Sequence, residues 1–173
     1  MKNRGLLFVV IVGALAVSQL TNQSFAQVRV DSPWVVQLKT KEDYKKYEPE
    51  VVEAAKWLEQ TDLDKETDKR RQINTFVLQW LSGTPDVVIA IGEDLQKLLD
   101  DNAPLLTIYL ASYARHIIEN KGSFTKFTAT KAGLTAVLNV YKKGIGIHKT
   151  RGLTQLAKMS ESGLDNYITE NMQ

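Results

Sequence analysis

Residues 104–119 read PLLTIYLASYARHIIE, and their apolar side chains recur at intervals of three and four positions. This is the spacing of an α-helix, in which such positions share one face. Leu105, Ile108, Ala111 and Ala114 widen that face beyond a single stripe. A helix with so broad an apolar surface has to be covered by more than one neighbour. The stretch therefore predicts the central helix of an all-α domain.

The first 26 residues have the composition of an export signal. Lys2 and Arg4 precede an apolar run from Leu6 to Leu20, and small residues lie at Ser24 and Ala26. The run is shorter than the roughly 20 apolar residues of a membrane-spanning helix. This pattern is typical of a signal peptide that is cleaved after its last small residue. We therefore expect an exported protein, periplasmic or secreted, without stable membrane insertion after the leader is removed.

The remaining chain has the organisation of one domain. Residues 27–47 predict a short extended arm, from which Trp34 packs onto the helices, and its last part, KEDYKKY, predicts a short helical turn or linker. Residues 48–173 carry five to six amphipathic segments, which predict a helical bundle or an orthogonal helix array. The chain contains no cysteine, so buried apolar area rather than disulfides has to stabilise it.

The charges of the chain argue against nucleic acid as a partner. Removal of Lys2 and Arg4 with the leader leaves 20 basic and 20 acidic residues, so the mature chain is formally neutral. A nucleic-acid-binding surface normally gives a domain a net positive charge. The charge is uneven, because residues 27–101 carry a net −5 and residues 102–173 a net +5. The basic half is a weak indication of an anionic partner.

The segment 86–91, DVVIAI, fits either a buried strand or part of a helix. Its β-branched residues are typical of strands, but no second strand that could pair with it is evident. Pro85 is suited to the first turn of a helix that would run to Leu99, with a bend near Gly92. We therefore favour a helix over this segment.

One loop has the composition of an anion-binding site. Residues 142–152, KKGIGIHKTRG, combine three glycines with five side chains that are cationic or can become so. These side chains are Lys142, Lys143, His148, Lys149 and Arg151. A nucleotide-binding P-loop is not indicated, because His148 replaces the required glycine and a helix precedes the loop. The pattern predicts either anion binding near a helix N-terminus or an ordinary interhelical loop.

A second candidate for anion binding is the pair Arg70 and Arg71. Adjacent guanidinium groups can clamp a phosphate or carboxylate through paired hydrogen bonds. Glu66 and Asp68, however, lie four and three residues before these arginines, at spacings that allow ion pairs along a helix. The alternative interpretation is therefore a solvated helix face.

The sequence contains no recognisable catalytic or metal-binding motif. Its only histidines are His116 and His148, and no pair of ligands has the spacing of a zinc site. No Gly-x-Ser-x-Gly turn is present. We therefore assign no catalytic residues, no metal and no cofactor.

These observations predict an exported, soluble helical module of the bacterial cell envelope that binds a protein partner or a small ligand. One alternative is a small periplasmic hydrolase that uses His116 or His148. Another is an envelope-surface protein that binds anions through the basic loop at residues 142–152. The sequence does not specify the oligomeric state.

Overall fold

The computed structural model describes residues 33–172. The predicted signal peptide and the first residues of the arm lie outside this range, as does Gln173. Within the range the chain forms helices joined by turns and irregular segments, and no β-strand. The prediction of an all-α fold is confirmed.

The described residues form eight α-helices. Their bounds are α1 Lys41–Lys46, α2 Glu48–Gln60, α3 Thr67–Leu81, α4 Glu93–Leu99, α5 Ala103–Glu119, α6 Lys126–Lys143, α7 Arg151–Leu156 and α8 Glu161–Asn171. Five of them have 11 to 18 residues and build the body of the domain. The other three have six or seven residues, and a 3-10 turn over Asp100–Asn102 leads into α5.

Helix α5 lies at the centre, as its sequence predicts. Ten of its 17 residues are buried, which a single apolar stripe would not require. It packs most extensively against α6 and α2, and it also contacts α3 and α4. Its neighbours contribute fully buried side chains such as Phe76 and Trp80 from α3 and Leu134 from α6. Residues 104–119 therefore organise the core.

The arm is anchored to the helical body through aromatic contacts. Trp34 packs on Phe76 with ring centroids 5.6 Å apart. The indole Nε1 of buried Trp80 donates a hydrogen bond of 2.8 Å to the backbone oxygen of Tyr44 in α1. Helix α1 lies at KEDYKKY, where the sequence predicts a short helical turn or linker.

The helix predicted over Pro85–Leu99 is only partly present, because it begins at Glu93. Residues 86–91 are neither helical nor part of a strand in the structure. Val87 is 5% exposed whereas its neighbour Val88 is 83% exposed, as expected where successive side chains point in opposite directions. The segment therefore places one apolar side chain into the core without helix formation. It then runs along the domain to Gly92 at the start of α4.

Candidate functional site

A partly open pocket lies where α5, α6, the start of α4 and the end of α8 meet. Its volume is about 150 Å³. It is lined by Ala90, Gly92, Leu95, Tyr109, Tyr113, Lys126, Thr130, Asn171 and Met172. We call it the tyrosine pocket. Its walls come from four helices and from the irregular segment before α4, so the pocket exists only in the folded domain.

Two tyrosines of α5 form one wall of this pocket. Tyr109 and Tyr113 are one helical turn apart, their ring centroids are 6.0 Å apart, and they are only 3% and 5% exposed. No described residue forms a hydrogen bond with the Tyr113 hydroxyl. The side chain is largely buried, but its hydroxyl oxygen is not sealed from water. Tyr113 thus presents an unused hydrogen-bonding group to the pocket.

Burial keeps both phenols protonated. It raises the pKa of Tyr113 above the ordinary value of a tyrosine because the charged phenolate is poorly solvated there. It also raises the pKa of Tyr109, and the hydroxyl of Thr130 partly offsets that effect. At neutral pH both side chains are therefore hydrogen-bond donors as well as acceptors.

The opposite wall comes from the first turns of α6. The hydroxyl of Thr125 accepts a hydrogen bond of 3.1 Å from the backbone N–H of Thr128, and the Thr128 hydroxyl accepts one of 3.0 Å from the Thr125 N–H. This reciprocal cap fixes the start of the helix. Lys126 and Thr130 follow at positions one turn apart and both line the pocket. The cap therefore positions one cation and one buried hydroxyl at the site.

A glycine allows α5 and α6 to approach each other beside this pocket. A Cβ atom on Gly133 would lie 2.7 Å from the Tyr109 ring and 3.0 Å from the Tyr109 backbone oxygen. No side chain fits into that space without displacement of the ring or the helix. Gly133 therefore fixes the position of Tyr109.

The two arginines proposed as a clamp are directed to different environments. Arg70 is 7% exposed, and its Nη2 donates to the backbone oxygens of Thr61 and Asp62 at 2.7 and 3.0 Å. Its guanidinium lies over the ring of Trp57 at 5.1 Å from the centroid. Arg71 is exposed and pairs with Asp68 on its own helix. The fold thus does not bring the two guanidinium groups together.

The cationic loop is likewise divided by the fold. The Nζ of Lys143 donates to the backbone oxygens of Glu59 and Gln60 at 2.9 and 2.8 Å and lies 3.5 Å from the Asp62 carboxylate. A cation at this position compensates the negative end of α2. Lys143 therefore interacts with the end of α2.

The His148 part of the loop is held by its backbone. Asn102 donates from Nδ2 to the His148 carbonyl oxygen and accepts from the His148 N–H, both at 2.9 Å. The imidazole itself is 70% exposed, with Nδ1 at 3.8 Å from the Asp101 carboxylate. The remaining predicted residues, Lys142, Lys149 and Arg151, are exposed. The structure shows no enclosed site at which the five side chains converge.

The other histidine lies in an open groove beside α6. His116 shares this groove with Arg115 and Glu59. Arg115 Nη1 is 2.8 Å from Glu59 Oε1, and the same oxygen accepts 2.7 Å from the hydroxyl of fully buried Ser112. Because Ser112 is buried and bound to Glu59, it is not placed to attack a substrate. The network joins α2 to α5.

The described part of the chain offers no cluster of three or more His, Cys, Asp or Glu side chains suited to a metal ion. Across residues 33–172, no helix combines the length and apolar character needed to cross a bilayer. The chain matches no protein-family model, and neither the curated proteins nor the solved structures yield a match. What the protein does must therefore be inferred from its own residues.

Sequence reasoning missed the tyrosine pocket. Tyr109 and Tyr113 follow the helical period of residues 104–119, which predicts core positions, and both are buried. The tyrosine hydroxyls on this otherwise apolar helix face could have indicated a polar site, because a buried tyrosine usually has a hydrogen-bonding partner for its hydroxyl. The residues opposite, Thr130 and Asn171, are distant in sequence and gave no indication of that role.

Proposed function

We propose that this protein is an exported helical binding protein that holds a small ligand in the tyrosine pocket. The observation that carries the proposal is the Tyr113 hydroxyl, which lies on a side chain 5% exposed, lines the pocket and has no hydrogen-bonding partner among the described residues. A ligand in the pocket can replace water as the hydrogen-bonding partner of this hydroxyl.

The surroundings of Tyr113 support this function. Thr130 is 2% exposed and adds a second hydroxyl, and Asn171 adds an amide. Leu95 and Met172 supply apolar surface next to these polar groups. Ligand sites in proteins commonly combine an apolar lining with a few placed polar groups. At about 150 Å³ the pocket is smaller than the roughly 300–1,000 Å³ of sites for drug-sized molecules, so a small ligand is expected.

The proposed export rests on the leader over residues 1–26. It places the ligand outside the cytoplasm, where the cysteine-free chain has no thiols to be oxidised. Recovery of the protein from a periplasmic extract tests this part directly. A mass that corresponds to a chain beginning at Gln27 is expected, and a protein that retains its leader in the cytoplasm contradicts it.

Native mass spectrometry of the protein from that extract tests ligand binding. We expect the wild-type chain to carry a small additional mass that denaturation releases. Ala90→Phe should abolish this mass, because Ala90 lines the pocket and is exposed, so a larger side chain fills the space without entering the core. Val88→Phe is the matched control, since Val88 is 83% exposed and does not line the pocket.

Two results would contradict the proposal. One is a wild-type chain from the periplasm that carries no additional mass. The other is an additional mass that Ala90→Phe retains at the wild-type level, because the ligand would then occupy another place on the protein.

A further inference from the structure

We infer that the ligand of the tyrosine pocket is a small carboxylate with a compact apolar body. This inference rests on the proposed function and specifies the chemical class that the site selects. It follows from three separate properties of the pocket, namely its charge, its hydrogen-bonding groups and its volume.

The charge of the lining is positive. Lys126 is the only ionisable cation among the lining residues, and no aspartate or glutamate lines the pocket with it. Several other lysines among the described residues are paired, as Lys131 is with Glu161 and Asp165, each at 2.8 Å. Lys126 forms no ion pair with any described residue. An anion in the pocket would therefore meet an unpaired cation and no competing carboxylate.

The hydrogen-bonding groups suit two carboxylate oxygens. Tyr113, Tyr109 and Thr130 present hydroxyl groups from two facing helices, and all three side chains are at least nine-tenths buried. Protonated hydroxyls donate to a carboxylate, and hydrogen bonds to a charged acceptor are stronger than those to a neutral one. The Tyr113 hydroxyl has no other described partner, so a bound carboxylate is expected to satisfy it.

The volume limits the rest of the ligand. A cavity of about 150 Å³ can admit a benzene ring. Leu95 and Met172 offer contact to such an apolar group. Nucleotides, oligosaccharides and long-chain lipids are too large for this space. A ring or short chain that carries one carboxylate fits both the volume and the mixed lining.

Isothermal titration calorimetry with benzoate, benzamide and benzylamine tests the inference. The three probes share a ring and differ in charge, so their comparison isolates the carboxylate. We expect benzoate to bind at millimolar concentration or below, and each of the other two to bind at least about tenfold more weakly. Lys126→Gln should weaken benzoate binding about tenfold or more, and Tyr113→Phe should weaken it by a smaller factor. Lys142→Gln is the control, because it removes the same charge from the last turn of α6, away from the tyrosine pocket.

The outcomes separate the two proposals. If benzamide or benzylamine binds as tightly as benzoate and Ala90→Phe abolishes that binding, the pocket binds ligands but the carboxylate inference is wrong. Equal effects of Lys126→Gln and Lys142→Gln likewise overturn it. If no probe binds at millimolar concentration, the carboxylate inference also fails. The proposed function is then tested separately, by whether native mass spectrometry finds an additional mass on the periplasmic protein.

Discussion

Arg70 provides a sharp test of how this fold uses its cations. It is adjacent in sequence to Arg71, yet it is 7% exposed and donates to two backbone oxygens at the end of α2. Burial lowers its pKa, and the nearby Asp62 and Glu66 carboxylates act in the opposite direction, so it stays charged at neutral pH. We expect Arg70→Met to destabilise the domain and Arg71→Met to have little effect.

The magnitude follows from three contributions. Loss of two hydrogen bonds from a charged donor costs about 1.5–3 kcal/mol each. The freed oxygens belong to Thr61 and Asp62, which are half-exposed and can regain water, so the smaller value applies to each. The Nε atom of Arg70 is buried without a hydrogen bond, and its removal returns about 1 kcal/mol. Methionine keeps the apolar contact with Trp57. The net loss is therefore about 2 kcal/mol.

Urea unfolding at neutral pH, followed by far-ultraviolet circular dichroism, measures this difference. With a slope of about 2 kcal/mol per molar urea, Arg70→Met should lower the midpoint by about 1 M. Arg71→Met should change the free energy of unfolding by at most about 0.5 kcal/mol, because its exposed pair with Asp68 contributes little. The reasoning is refuted if the two variants unfold within about 0.5 kcal/mol of each other.

Three further predictions test the packing and the loop. Gly133→Ala gains about 1 kcal/mol of helix propensity but places a Cβ 2.7 Å from the Tyr109 ring, so a net loss of about 1 kcal/mol is expected in urea unfolding. Gly92→Ala, with no atom within 4 Å of its Cβ, creates no clash and should cost only about 0.5 kcal/mol, because glycine is preferred over alanine at the start of a helix. Equal effects at the two glycines would contradict the close packing. Asn102→Ala removes both hydrogen bonds to the His148 backbone and should accelerate hydrogen exchange at the His148 amide, and unchanged exchange would show that the loop is held otherwise. Burial raises the pKa of Tyr109, so the unfolded chain ionises first and the free energy of unfolding should fall above pH 10. Tyr109→Phe should lessen that alkaline fall, and an identical pH profile would contradict it.

The central part of this fold could be predicted because its periodicity is strong. Helix α5 buries ten of its 17 residues. The broad apolar surface of residues 104–119 predicts that several neighbouring helices cover it. The segment 86–91 could not be assigned in the same way, because its β-branched residues allow both helix and strand. Its conformation depends on tertiary packing, which buries Val87 and leaves Val88 exposed to solvent. Local propensity does not determine tertiary packing.

The pocket was harder to predict than the core. Tyr113 and Tyr109 follow the helical period of their neighbours, so composition alone assigns them to packing. These tyrosines differ from other core residues because they share a pocket with Thr130 and Asn171. Those two residues lie near the tyrosines only when α6 and α8 are packed against α5. A site built from four helices leaves no spacing signature in the sequence.

Two of the predicted cations interact with the end of a helix. Arg70 and Lys143 come from the two candidate anion sites, yet the fold brings both to the end of α2, where they bind four successive backbone oxygens from Glu59 to Asp62. The last carbonyls of a helix lack partners within it, so a nearby cation is drawn to them before any external anion. A cation is available to a ligand only if it is not already paired with groups of the protein itself. Lys126 meets that condition beside a pocket, although nothing in its local sequence distinguishes it from other lysines.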